Sequence, residues 1–190
     1  MLNPTPSMDK RFLRAFLTPR ATRLCGYDLF PWCLKHRLWL HALEHPVLVG
    51  GDPTPEQIVF LAKVCSETPV GRTTWRDRWE TAKLRQPANR NAALDAIRQH
   101  IRLDCWPRFW DRPESQGEGA RNGGVPWALS IVTNLTRSGF TLEDALNLPE
   151  CQAIWLSASA SISQGAKLEI LTSDDEELLD ALSRVDPPSR

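Results

Sequence analysis

Proline sets the length of every helix this chain can form. It lacks the amide proton a helix interior needs, and it keeps the preceding residue out of the α region. Pro19 therefore ends one segment, His45-Pro46 stops another, and Pro69-Val-Gly71 breaks the chain after a third. Pro55, Pro126 and Pro149 stand instead at helix starts, where the missing proton has no intrahelical partner to lose. With 15 prolines in 190 residues, the apolar periodicity between the breaks predicts a mainly α fold. The expected form is an irregular bundle of seven or eight short helices with at most one or two short strands.

The stripes are read as follows. Phe12 with Phe16, and Leu13 with Leu17, recur at i, i+4. Leu24-Cys-Gly-Tyr-Asp28 reads as a turn into a helix over 29–45, apolar almost all round, the kind that is central to a core or covered by a partner. Thr54-Pro-Glu-Gln57 is a capping box ahead of Ile58, Leu61, Ala62 and Cys65. Thr74, with Asp77 at N3, caps a helix through Arg85, and 89–104 follows with Leu94, Ile97 and Ile101. Trp127, Ile131 and Leu135 form the next stripe, closed by Gly139 at a C′ position. Thr141-Leu-Glu-Asp144 caps a short helix, and Pro149 starts another with Ile154, Ala158 and Ile162. Within it, Ser157-Ala-Ser-Ala-Ser-Ile-Ser163 permits close helix approach. Residues 168–171 suffice for one strand, and Ser173-Asp-Asp-Glu176 reads as a capping box for a final acidic helix with Leu178, Leu179 and Leu182. The organisation expected is an arm 1–21, a helical core 22–110 with a Trp/Arg-rich segment, a glycine-rich linker 111–124, a helical region 125–185 and a tail 186–190.

Charge and cysteine usage narrow the class. Lys+Arg and Asp+Glu number 23 each, which excludes a uniformly basic coat for nucleic acid. The balance is uneven along the chain, 15 basic against 9 acidic in 1–100 and 8 against 14 in 101–190. Opposed halves can steer partners or align copies head to tail; the plainer explanation is attraction within one fold. No apolar run is long enough to span a membrane, and no basic n-region precedes an apolar stretch at the start. Five cysteines without a CxxC pair then read as buried thiols in a reducing cytosol. No cofactor is expected.

Three patterns carry possible chemistry. His41-Ala-Leu-Glu-His45 fits the H-x-x-E-H spacing of inverted zinc peptidases, with two histidines one turn apart and Glu44 as base. Pro46 follows at once, however, and histidines at a helix C-terminus also complement its dipole; no metal site is expected. Trp75-Arg-Asp-Arg-Trp79 and Cys105-Trp-Pro-Arg-Phe-Trp-Asp-Arg112 interleave indoles with arginines, as a nucleic-acid binder through 72–112 would. The alternative packs both indoles of the first motif inward and leaves Arg72, Arg76 and Arg78 solvated beside Asp77 and Glu80, acids that would repel phosphates. The third pattern is the eight tryptophans themselves. Trp and Arg are enriched where proteins dock, and short helices with one apolar side conceal only part of such a set. Trp32, Trp39, Trp75, Trp79 and Trp127 are the candidate partner-binding residues, and no catalytic residue is assigned.

Two stretches carry a resemblance. One runs Leu24-Cys-Gly-Tyr-Asp-Leu-Phe-Pro-Trp-Cys33, through His41-Ala-Leu-Glu-His-Pro-Val-Leu48, to Thr54-Pro-Glu-Gln-Ile-Val-Phe-Leu61. The other begins Val125-Pro-Trp-Ala-Leu-Ser-Ile-Val-Thr-Asn-Leu-Thr-Arg-Ser-Gly-Phe-Thr-Leu-Glu-Asp144 and continues to Thr172-Ser-Asp-Asp-Glu-Glu177. Together they resemble the small helical tail-assembly chaperone-like proteins of tailed bacteriophages and prophages. The resemblance covers about half the chain, and 72–112 has no counterpart in it. It implies a non-enzymatic protein of the host cytoplasm or the virion that binds the tape-measure protein or neighbouring tail subunits, with self-association left open. A structural tail or neck component of the virion is the adjoining alternative.

Overall fold

The computed structural model describes residues 9–17, 22–101, 103–110 and 125–185. The linker expected at 111–124, the tail 186–190 and all of the arm except 9–17 lie outside the described residues. Among the described residues there are ten helices, eight of them longer than six residues, and two small two-stranded antiparallel sheets. The fold is mainly α, as the periodicity predicts.

After α1 (Lys10–Leu17) the chain forms a hairpin rather than a plain turn. Strands β1 (Thr22–Leu24) and β2 (Tyr27–Leu29) pair in antiparallel register, Leu24 opposite Tyr27. Cys25 and Gly26 between them both have positive φ, 51° and 75°, the handedness a two-residue hairpin turn requires. The helix expected over 29–45 is correspondingly shorter. Phe30 precedes Pro31 and stays outside the helix, its amide donating to the Cys65 carbonyl at 2.9 Å, so α2 spans only Leu34–Ala42.

A short α3 (Pro46–Val49) leads to α4 (Pro55–Cys65), the most buried of the described helices, opened by the reciprocal Thr54–Gln57 capping box. Helix α5 (Trp75–Leu84) lies against α4, and α6 (Pro87–Ile101) against α5 and β1. A 3-10 turn, Leu103–Cys105, precedes β3 (Arg108–Phe109). Beyond residues 111–124 come α7 (Trp127–Arg137), α8 (Leu142–Asn147) and α9 (Glu150–Ser163). Strand β4 (Ile170–Leu171) returns to pair with β3, and α10 (Ser173–Val185) ends the described chain. The cap of α10 lies one residue earlier than expected: Thr172 and Asp175 exchange the bonds, the Asp175 amide donating to Oγ1 at 3.2 Å and the Thr172 amide to Oδ2 at 2.9 Å.

Three apolar clusters result. The first joins Leu24, Leu29, Trp32, Leu40, Ile58, Leu61, Leu84 and Ile97. The second, Leu34, Val132, Leu135, Ala145 and Ala153, places the start of α2 among α7, α8 and α9. Segments 22–110 and 125–185 therefore share a core through α2. The third holds Ala15, Cys105, Cys151 and Trp155 with Phe12 and Phe16 against it. The small residues of α9 do allow close approach, since Asn134 Nδ2 of α7 reaches the Ser157 carbonyl at 2.9 Å and Ser161 Oγ at 3.0 Å. None of the five cysteines is in a disulfide; Cys25 is half-buried and the others are buried. No described helix is long and apolar enough to cross a membrane.

Candidate protein-docking surface

Helix α5 wears its polarity inside out. At about 100° per residue, Trp75, Trp79 and Ala82 fall on one side, and Asp77 and Leu84 on the opposite one. The structure turns the second side inward: Asp77 and Leu84 are buried, while Trp75 is 80% and Trp79 59% exposed. The cause is the company Asp77 keeps. Its Oδ1 accepts from the Tyr27 hydroxyl at 2.6 Å. Its Oδ2 accepts from Lys63 Nζ at 3.0 Å and from the Thr74 amide at 2.7 Å. Burial pushes the Asp77 carboxyl up, but the hydroxyl, the amide and the buried Lys63 ammonium outweigh it and hold the pKa down to about 2. Two charges that would be costly to bury singly thereby satisfy one another and fix the roll of the helix.

Flanking the indole stripe are cations. Arg78 lies on one side, Arg76 and Lys83 on the other, with Arg72 and Arg85 near the ends, all exposed. Arg76 rests over the Tyr27 ring at 5.5 Å and Lys83 over the Trp79 ring at 5.6 Å, contacts that position the charges without removing them from solvent. Within α5, Glu80 is the acid beside the stripe, bonded to Lys83 at 2.9 Å. The surface is thus apolar down the middle and basic at its rims.

The remaining tryptophans divide. Trp39 is exposed and borders a groove with Lys35, Glu67, Pro69 and Val70. Trp127 is half-buried, packed edge-on to Trp106 with ring centroids 5.3 Å apart. Trp32, a candidate for partner contact, is only 4% exposed and belongs to the interior. Its Nε1–H donates to Glu150 Oε2 at 2.8 Å, a bond that requires the indole inside. Trp110, absent from the candidates, is exposed beside Phe109. The five are therefore not one surface; Trp75 and Trp79 form the continuous patch.

Sequence reasoning also missed the buried centre around Glu150. Besides Trp32, that carboxylate accepts from Arg37 Nη2 at 2.8 Å and from Arg37 Nε. The guanidinium lies among the rings of Trp32, Trp106 and Trp127 at 4.9 to 5.6 Å. Burial raises the Glu150 pKa against the pull of Arg37 and Trp32. The only signal in the sequence is an acid directly after Pro149, too common to single out.

The H-x-x-E-H segment takes a different shape from the peptidase motif. Helix α2 ends at Ala42, Glu44 has a positive φ of 49°, and His45 has left the helix to cap α3. His45 Nδ1 accepts from the Val47 amide, and Nε2 stands 3.1 Å from the Gln57 carbonyl. Among the described residues no three His, Cys, Asp or Glu side chains are placed to hold a metal ion. Comparison with protein-family models, with curated proteins and with solved structures finds no match to this chain.

Proposed function

We propose that this chain is a non-enzymatic protein-docking component, with the α5 indole stripe as its docking face. The observation that carries the reading is the outward pair Trp75 and Trp79 over a buried ionic anchor at Asp77. Exposed indoles ringed by guanidinium groups have the composition of binding hot spots, and the interior packing of α5 rests on Asp77 and Leu84 instead. The resemblance over 24–61 and 125–177 supports a partner among phage tail proteins, the tape-measure protein or a neighbouring tail subunit, during assembly.

Co-expression with the tail gene products tests this. The tagged chain is expected to retain a tail protein, and Trp75→Ala/Trp79→Ala to weaken that complex by about 2 kcal/mol or more, roughly 30-fold in Kd. Both indoles are exposed, so the variant's unfolding midpoint should match the wild type. Retention unchanged in the double variant would remove the face from the function. Stoichiometric copies in purified particles would replace the chaperone role with a structural one. The same stripe supports a second reading, single-stranded nucleic acid stacked on the indoles with Arg76 and Arg78 near its phosphates. Its mark is binding that weakens steeply with added salt.

A further inference from the structure

We propose that the α5 stripe of one copy receives the C-terminal helix α10 of a second copy, head to tail. This rests on the reading of α5 as a protein-docking face and names an occupant for it.

Helix α10 is the complement of α5 in both polarity and charge. Its apolar stripe faces away from the body: Leu178 is 60% exposed, Leu182 56% and Leu179 42%. Leu178 and Leu182 are one turn apart, as Trp75 and Trp79 are, so two turns of one helix match two turns of the other. Ion pairs tie α10 to its own body. Glu176 pairs with Arg11 and with Arg108 at 3.0 Å each, and Glu177 with Lys10 at 3.3 Å. Those pairs lie on the side of the helix away from Leu178 and Leu182, so the leucines stay outward while the pairs hold.

The charges agree. Helix α10 carries Asp174, Asp175, Glu176, Glu177 and Asp180 against the single cation Arg184. Glu176 and Glu177 stay with its own body, and at about 100° per residue Asp174 and Asp175 are the acids beside the Leu178–Leu182 stripe. The α5 stripe is rimmed by Arg76, Arg78 and Lys83, its other acid, Asp77, being turned inside and paired. An acidic leucine helix set on a basic indole stripe buries apolar surface from both and pairs opposite charges at the rim, which favours this register over contacts between like faces. Because the two surfaces differ, the contact is heterologous: in a head-to-tail pair one copy keeps an unused α5 and the other an unused α10, and assembly continues to a ring or a filament.

The mass of the full chain in solution, followed by sedimentation and light scattering over a concentration series, tests the proposal. The wild type is expected to grow beyond a dimer. Trp75→Ala/Trp79→Ala, which lacks the face, and Leu178→Ala/Leu182→Ala, which lacks the stripe but keeps good helix formers, should each be monomeric where the wild type is at least half assembled. Mixed in equal amounts, the two variants should form a complex that stops at one copy of each, since only one intact face and one intact helix remain between them. A monomeric wild type, variants that still associate, a mixture that stays monomeric, or assembly abolished by nuclease would overturn the proposal. The failures are separable: a monomeric wild type whose indole variant still loses its tail partner leaves the proposed function standing, and an assembling wild type whose tail complex ignores the indoles does the reverse.

Discussion

Asp77 and Glu150 are both buried carboxylates, and each fixes an orientation that apolar packing alone leaves free. Asp77 ties α5 to α4 through Lys63 and to the hairpin through Tyr27. Glu150 ties the start of α9 to Trp32 and Arg37. Removing one partner of such a pair strands the other charge where water cannot reach it. Asp77→Ala is therefore expected to cost about 3–5 kcal/mol in urea unfolding, with Lys63, itself 4% exposed, left uncompensated. Tyr27→Phe, which loses one bond to a charged acceptor, should cost less, about 1.5–3 kcal/mol. Asp77→Leu/Lys63→Met should recover most of the alanine loss, since well-packed apolar substitutes for a buried pair are often neutral. An alanine variant within about 0.5 kcal/mol of wild type, the range of an ordinary surface change, would mean the anchor does not set the roll of α5. The capping half of this arrangement was legible, because Thr74 and Asp77 stand three apart. The other half was not. Lys63 and Tyr27 lie 14 and 50 residues away along the chain, and no local spacing connects them.

Among the elements, helices α5 and α10 show how far periodicity reaches. The pairing of Trp75 with Trp79, and of Leu178 with Leu182, is visible at i, i+4. Which side turns inward is not, because the polar side of each helix finds its own partners in the body. For α5 the alternative in which the indoles pack inward beside solvated Arg and Asp is reversed by the Asp77 pair, and Trp75 and Trp79 stay outside. Helix α2 fails differently: its apolar letters continue back to Leu29, but Pro31 and the hairpin's own hydrogen bonds claim those residues first. The anchoring of α10 through ion pairs gives a prediction at this scale. Glu176→Gln weakens its contacts with Arg11 and Arg108, a change worth about 1 kcal/mol. Amide exchange across α10 should quicken about fivefold, while protection in α4 stays unchanged. Equal exchange in variant and wild type would show that the ionic contacts do not hold the helix in place.

At the scale of the whole molecule, the three clusters meet around one buried polar node. Trp32 belongs to the first cluster, its carbonyl accepts the Glu150 amide at 2.8 Å, and Cys33 and Pro149 form an isolated β-bridge beside it. The joining of residues 32–37 to 149–150 is purely tertiary, so the sequence shows two helical regions and not the seam between them. Two buried histidines flank the same indole, the ring centroids of His36 and His100 each 6.1 Å from that of Trp32. Nε2 of both is buried without a hydrogen-bond partner. Burial lowers both pKa values to about 4, reinforced at His36 by Lys35 and at His100 by His36, against an ordinary value of 6.5. His45 is lowered too, by its own burial. The sign follows from which state binds protons first. Above pH 6.5 these imidazoles are neutral in both states and the fold has its full stability. As pH falls below 6.5 the unfolded chain takes up protons that the folded chain refuses until about pH 4, so the fold weakens across that window. Each such group contributes a slope of up to about 1.4 kcal/mol per pH unit. Glu150, raised in the fold, opposes the trend at its acid end, and Asp77, held to about 2, adds to the loss only below its ordinary 3.8. Urea unfolding between pH 7 and 4.5 is therefore expected to show a steady fall in stability, and His36→Gln/His100→Gln to flatten most of it while leaving the His45 share. A slope in the double variant equal to that of the wild type would place the acid response elsewhere than at this node, and the seam between the two halves would then hold regardless of its histidines.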